Sequence, residues 1–146
     1  QIAARKFFKQ TQGIDIPEGQ PLPSDLKYDR GELYKVIDAE ISEMTGRVHK
    51  YQTAFNAIIL DFLKADMLDV YKAGFIDMRK QYLTVGVNGL TDAAEFLGLE
   101  ISPNEGYREF VNTILETINI SNRKDKTRET MFNTEFVPGE PVRQEL

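Results

Sequence analysis

The segment from Gln81 to Gly98, QYLTVGVNGLTDAAEFLG, constrains the fold more than any other part of the chain. Its first half is rich in β-branched and aromatic residues and ends in the turn signal Asn88-Gly89, which predicts a strand. In its second half, apolar residues recur at spacings of three and four before Gly98, and glycine suits the left-handed position after a helix. The sequence therefore predicts a buried strand that leads through a tight turn into a short helix.

A long helical region is predicted upstream, in residues 31–73. Apolar residues recur every three or four positions from Leu33 to Phe62, which is typical of one amphipathic helix about nine turns long. Between Phe55 and Leu63 the apolar residues occupy more than one face of the helix. We therefore expect this half of the helix to be buried on several sides.

Helix boundaries are marked at two places. Asp29 is suited to cap the long helix, and Ser102-Pro103-Asn104-Glu105 resembles a capping box in which Ser102 is the N-cap. Gly46 leaves two interpretations open. It could mark a kink or a close contact within one helix, because glycine costs roughly 1 kcal/mol relative to alanine in a helix interior, or two helices could meet there.

These patterns predict a mainly α-helical protein with one or two short β-strands, organised as a single unit over residues 1–146. Residues 1–12 end a helix, and residues 13–30 form a connector in which Pro17, Gly19, Pro21 and Pro23 disfavour regular structure. The long helical region follows. Residues 75–146 then hold the strand, the turn, two helices and a polar loop.

The charge and composition of the chain argue against several classes of function. The chain has 146 residues with a formal net charge of −5 and a pI near 5.0, which argues against a nucleic-acid-binding protein because such proteins usually carry a basic face. It has no cysteine, so it can form neither a disulfide nor a thiolate metal site. We expect no membrane-spanning segment, since no apolar run approaches about 20 residues, and we expect a cytoplasmic location.

Two glycine-containing stretches could bind an anion. The loop Asn133 to Glu140 contains Pro138-Gly139, which lets successive backbone N–H groups converge. The turn Gly86-Val87-Asn88-Gly89 presents backbone amides near a predicted helix N-terminus, although a tight structural turn explains it equally well. The sequence indicates no catalytic residue and no metal ligand. We interpret the single histidine, His49, as a residue on the surface of the long helix.

Both stretches resemble motifs of one enzyme family. The segment Gln81 to Gly98 resembles the QYLT…NGL…AAEFLG segment of the large subunit of anaerobic, glycyl-radical ribonucleoside-triphosphate reductases. Asn133, Glu135, Pro138, Gly139 and Glu140 match the N-x-E-x-x-P-[G/A]-E loop of the same family. The residues after Glu140 depart from the family's continuation.

The resemblance implies a fold, a reaction and partners. The chain would be an internal fragment of the α/β barrel of a glycyl-radical enzyme that reduces ribonucleoside triphosphates in deoxyribonucleotide biosynthesis, ahead of DNA replication. Asn133, Glu135, Pro138, Gly139 and Glu140 would lie at the substrate's triphosphate, with Gly86, Asn88 and Gly89 nearby. The partners would be the rest of the subunit and a radical activase that uses an iron–sulfur cluster and S-adenosylmethionine.

This chain cannot carry out that chemistry alone. The family uses a glycyl radical, a cysteine thiyl radical and, elsewhere in the subunit, a zinc site, whereas the sequence has no cysteine. We therefore expect no cofactor in this chain and no activity from it in isolation. The alternative is a non-catalytic helical module that forms a homo-oligomer through exposed apolar surface. A third hypothesis, an independent nucleotide-binding domain, requires triphosphate affinity from the loop around Pro138.

Overall fold

The computed structural model describes residues 1–137, and its architecture is mainly helical with two short strands. The elements, in chain order, are α1 (Ile2–Gln12), α2 (Arg30–Lys64), α3 (Asp69–Lys72), a 3-10 turn (Met78–Lys80), β1 (Tyr82–Val87), α4 (Leu90–Phe96), α5 (Glu105–Asp125) and β2 (Met131–Phe136). No helix in this part of the chain is both long and apolar enough to cross a membrane.

The predicted strand, turn and helix are found as β1 and α4, but β1 is buried on one face only, with Val85 and Val87 buried and Tyr82 54% exposed. Gly89 adopts a left-handed conformation (φ 72°) immediately before α4, and Gly98 does the same (φ 68°) just after it. Both values lie in the region that glycine adopts at little cost.

The two strands agree with the prediction of one or two short strands, but the position of the second was not predicted. β2 pairs with β1 in parallel, with Thr84 opposite Asn133 and Gly86 opposite Glu135. The prediction that a loop begins at Asn133 is wrong, because β2 continues to Phe136. The helices α4 and α5 form the connection that a parallel pair of strands requires.

Helix α2 is one uninterrupted helix of 35 residues. Asp29 caps it as predicted, since its side chain accepts a hydrogen bond from the backbone N–H of Glu32 (3.0 Å). A Cβ atom added to Gly46 would meet no atom within 4 Å. Neither a junction of two helices nor a close contact at this glycine is found.

The core is formed by α1, the first half of α2, α5 and the inward face of the sheet. Its most deeply buried large side chains are Phe8, Leu33 and Phe110, and Val85 and Val87 contribute from β1. The outer face of the sheet carries Thr84, Gly86, Asn133 and Glu135, because side chains alternate along each strand.

Two further predictions are wrong. The second half of α2 is largely exposed rather than buried on several sides, with Tyr51 76% and Phe55 63% exposed. Asn104, not Ser102, caps α5, since its Oδ1 accepts the backbone N–H of Tyr107 (2.9 Å). Ser102 instead accepts a hydrogen bond from the Asn104 side chain (2.8 Å), which holds the cap in position.

Candidate functional site

The carboxyl ends of β1 and β2 lie side by side, and the two motif-bearing segments meet there. The backbone N–H of Val137 donates to the carbonyl of Val87 (3.0 Å), extending the ladder beyond β2. A Cβ on Gly86 would stand 2.9 Å from a methyl of Val137. Gly86 therefore leaves room for the Val137 side chain to pack against β1.

A cavity of about 580 Å³ opens at this end of the strands. The turn from Gly86 to Leu90 forms one wall, and α1, the middle of α2 and α5 form the others. Most of the lining is apolar, including Ile37, Met44, Val48 and Ile114. The volume falls within the range of pockets that hold small molecules.

Arg5 is the cationic side chain of α1 in this lining. Its Nε and one terminal nitrogen are buried and have no hydrogen-bond partner within residues 1–137. The guanidinium carbon lies 5.4 Å from the centre of the Phe96 ring, which is within range of a cation–π interaction. A partly buried guanidinium with two unused donor nitrogens is suited to an anionic ligand. The sequence did not indicate Arg5 as a site residue, since nothing in its local pattern sets it apart from Lys6.

The turn residues that the sequence indicated line the cavity, but one of their backbone amides is already hydrogen-bonded within the turn. Gly86, Asn88 and Gly89 all contribute to its lining. The backbone N–H of Gly89 already donates to Oδ1 of Asn88 (2.7 Å). This amide is therefore engaged within the turn.

Asn133 and Glu135 lie together on the outer face of the sheet rather than in the cavity lining. The Asn133 amide nitrogen donates to the Glu135 carboxylate (3.3 Å). Oδ1 of Asn133 is buried and has no partner in the described part of the chain. Pro138, Gly139 and Glu140, the remaining residues predicted to contact phosphate, lie outside the described residues.

The prediction that His49 lies on the surface of the long helix is wrong. It is buried, with 3% of its surface exposed, and is not on the helix surface. Nδ1 lies 2.7 Å from an Asp125 carboxylate oxygen, Nε2 lies 2.8 Å from Oδ1 of Asn122, and the ring stacks on Phe132 at 3.9 Å. Its partners lie more than 70 positions away in sequence, so no local signal could have revealed them.

The network around His49 continues into the sheet. The Asn122 amide donates to the Thr134 hydroxyl (2.8 Å), and that hydroxyl donates to Oδ1 of Asn119 (3.3 Å). With Asn122 in this orientation, both ring nitrogens of His49 face oxygen acceptors. Both ring nitrogens are therefore engaged by side chains, and the network holds α2, α5 and β2 together.

The donor groups needed for the family's metal and radical sites are not found here. No group of three His, Asp or Glu side chains within residues 1–137 is arranged to hold a metal ion. The sequence contains no cysteine, so it supplies no ligand for a zinc–thiolate site and no thiol for a thiyl radical. Comparisons with models of protein families, with curated proteins and with solved structures found no match to this chain.

Proposed function

We propose that this chain is part of the large subunit of an anaerobic ribonucleoside-triphosphate reductase, which reduces ribonucleoside triphosphates to deoxyribonucleotides by radical chemistry. The supporting observation is that two motifs about fifty positions apart in sequence meet in space: Val137 donates to the carbonyl of Val87 (3.0 Å), and Gly86 packs beneath Val137. The thiyl and glycyl radicals would come from other parts of the subunit. In isolation the chain is expected to be inactive.

The sheet supports the interpretation of this chain as a fragment of a larger barrel. Two parallel strands are few for a stable sheet, and parallel sheets usually have both faces covered. The Val87 carbonyl accepts a hydrogen bond from Val137, which follows β2. Successive residues of a strand point their backbone N–H and C=O groups to alternate edges, so those of Thr84 and Gly86 point to the opposite edge of β1. There the Gln52 side chain donates to the Thr84 carbonyl (2.6 Å). Further strands from the rest of the subunit would complete this edge.

The triphosphate would bind at the carboxyl ends of the strands, which is where ligands of parallel α/β folds bind. Arg5 would supply charged donors to a phosphate oxygen, since two of its nitrogens are buried and without a partner within residues 1–137. The cavity of about 580 Å³ beside it would take the apolar part of the nucleotide. Asn133 and Glu135 lie on the outer face of the sheet, so a triphosphate bound beside Arg5 would reach them only across the ends of the strands.

The proposal is tested by calorimetric titration of the 146-residue chain with ATP and magnesium. We expect a micromolar dissociation constant, about −8 kcal/mol, and competition by inorganic triphosphate. Arg5→Gln should weaken binding by roughly 10- to 100-fold, because it removes charge-assisted hydrogen bonds. Lys6→Gln is the matched control, since it makes the same charge change at an exposed position of the same helix.

Three results would contradict this assignment. The absence of binding by any ribonucleoside triphosphate, in a sample whose circular dichroism shows a folded helical protein, would remove the nucleotide site. Equal losses in Arg5→Gln and Lys6→Gln would assign the binding to overall charge rather than to the cavity. Full affinity in Arg5→Gln would place the ligand elsewhere.

The second candidate function is a non-catalytic helical module that self-associates. It is favoured by the exposed apolar side chains on the second half of α2, where Tyr51, Phe55 and Ile58 are each at least half exposed. Contiguous exposed apolar surface on a helix is typical of a protein interaction site. The same surface would also be expected in a fragment of a larger subunit.

A further inference from the structure

We propose that two copies of this chain pair through an antiparallel contact between their α2 helices. The contact surface, which we name the α2 stripe, consists of Met44, Val48, Tyr51, Phe55, Ile58 and Phe62. This inference rests on the second candidate function, self-association. Met44 and Val48 also line the cavity, whereas the four members from Tyr51 to Phe62 lie outside its lining.

The α2 stripe follows the repeat of a helix–helix seam. Its members are separated alternately by four and three positions, and Ile37 and Ile41 extend the same alternation towards the N-terminus. This is the heptad repeat in which two residues of every seven face a partner helix. Ile37 and Ile41 pack against the core, but from Met44 onwards the repeat continues on exposed surface.

The composition of the α2 stripe favours an antiparallel pair. In an antiparallel seam, residues from the two heptad positions face each other across the contact. Centring the pair at Thr53 places all six residues opposite one another. The layers are Met44 with Phe62, Val48 with Ile58, and Tyr51 with Phe55, each formed twice by symmetry. The stripe therefore complements itself under a two-fold axis.

The flanking charges agree with the same register. Arg47 and Asp61 occupy equivalent heptad positions beside the stripe, and the antiparallel register brings Arg47 of one copy next to Asp61 of the other. Flanking charges of this kind set the orientation of paired helices. In a parallel pair, Arg47 would instead face Gln52, and Asp61 would find no cation at the corresponding flanking position.

The area of the α2 stripe is sufficient for a specific contact. Tyr51 and Phe55 at its centre are 76% and 63% exposed, and aromatic side chains are the usual anchors of interfaces. At 150–250 Å² for a fully exposed aromatic side chain, the stripe offers roughly 600 Å² per copy. Flanking side chains would bring this close to the roughly 800 Å² per partner of a stable interface.

Sedimentation equilibrium of the 146-residue chain over a range of concentrations tests the proposal. We expect a monomer–dimer equilibrium whose dissociation constant rises at least roughly 100-fold in Phe55→Glu, because a charge would replace a central aromatic anchor. Phe75→Glu is the matched control, since Phe75 is 82% exposed and lies outside the stripe. It should leave the dissociation constant unchanged.

The register is tested by exchanging charges. Arg47→Asp should weaken the dimer on the order of 10-fold. Combining it with Asp61→Arg should restore the wild-type dissociation constant. Opposite charges would then again meet at positions 47 and 61 of the two copies, with their signs exchanged.

Disulfide trapping tests orientation, because the chain has no cysteine of its own. Val48→Cys mixed with Ile58→Cys should give a mixed disulfide by intact mass under mild oxidation. Neither variant should cross-link when oxidised alone, since the antiparallel register separates identical positions.

Each experiment has an outcome that overturns the proposal. A monomer at every concentration would exclude the contact, and a dimer that persists in folded Phe55→Glu would assign association to another surface. Efficient cross-linking of Val48→Cys to itself would show a parallel pair. Failure of the charge exchange to restore the dimer would reject the register.

Discussion

The two halves of α2 differ sharply although they continue one apolar pattern. In the first half, Leu33 is fully buried and Tyr34 is 7% exposed, because α1 and α5 pack against this part of the helix. In the second half, Tyr51 and Phe55 remain mostly exposed. The same periodicity thus specifies a core face in one half and an uncovered face in the other.

The comparison shows what an apolar pattern can and cannot specify. Periodicity determines that residues are helical and share a face. It does not determine whether the partner of that face belongs to the same chain. The hydrogen bonds of His49 mark the region where the two halves diverge, since they join α2 to Asp125 and Asn122 of α5.

The largest expected difference in stability is between Phe110→Ala, in α5 against the first half of α2, and Phe55→Ala, in the second half of α2. Phe110 is 2% exposed and packs near Tyr34, so its truncation should lower the free energy of unfolding by about 3–5 kcal/mol. Phe55→Ala should change it by less than about 0.5 kcal/mol. Urea denaturation at low protein concentration, where association is minimal, measures both. Equal effects would show that the second half of α2 is packed in solution.

His49→Ala should have the next largest effect. It removes the partner of Asn122 Oδ1 and of the partly buried Asp125 carboxylate, and it removes the ring that stacks on Phe132. We expect a loss of about 2–4 kcal/mol in the free energy of unfolding. Lys50→Ala, at the exposed neighbouring position, should change it by less than about 0.5 kcal/mol. A small effect of His49→Ala would mean that the network does not fasten the helices.

Local sequence patterns predicted much of the fold. The unit from Gln81 to Gly98 was predicted correctly because its strand, turn and helix each have their own signal. The Asp29 cap was also predicted, since it depends on a contact only three residues away. A second strand was allowed for, but β2 was not located, because Asn133 and Thr134 are polar and the apolar residues around them do not alternate clearly.

The candidate site was less predictable because it depends on distant contacts. The sequence indicated Gly86 and Asn133 as site residues, and the fold places the strands that carry them side by side. It gave no indication that Arg5, some eighty positions from Gly86, would line the same cavity. His49 was misjudged for the same reason. Its neighbours in sequence suggest a helix surface, and its environment is set by α5 and β2.

Tyr34→Phe should have the smallest effect on the free energy of unfolding, and it tests how closely the first half of α2 is packed. The Tyr34 hydroxyl is buried and has no hydrogen-bond partner within residues 1–137. Burial raises the pKa of Tyr34 above its usual value near 10; Arg30 opposes this rise, and Glu109 adds to it. At neutral pH the substitution should be neutral or stabilising by up to about 1 kcal/mol, because it removes an unpaired polar group.

The pH dependence gives Tyr34→Phe a second and independent readout. Below pH 10 the Tyr34 hydroxyl is neutral in both the folded and the unfolded protein, so its contribution to stability is constant. As the pH rises above 10, Tyr34 ionises in the unfolded chain before it does so in the folded one, and this difference favours unfolding. The free energy of unfolding should therefore fall less steeply above pH 10 in Tyr34→Phe than in the wild type.

Tyr51→Phe, in the exposed half of the same helix, is the matched control. Parallel pH profiles for Tyr34→Phe and the wild type would show that the hydroxyl is solvated, and that the first half of α2 is packed less tightly than its burial indicates.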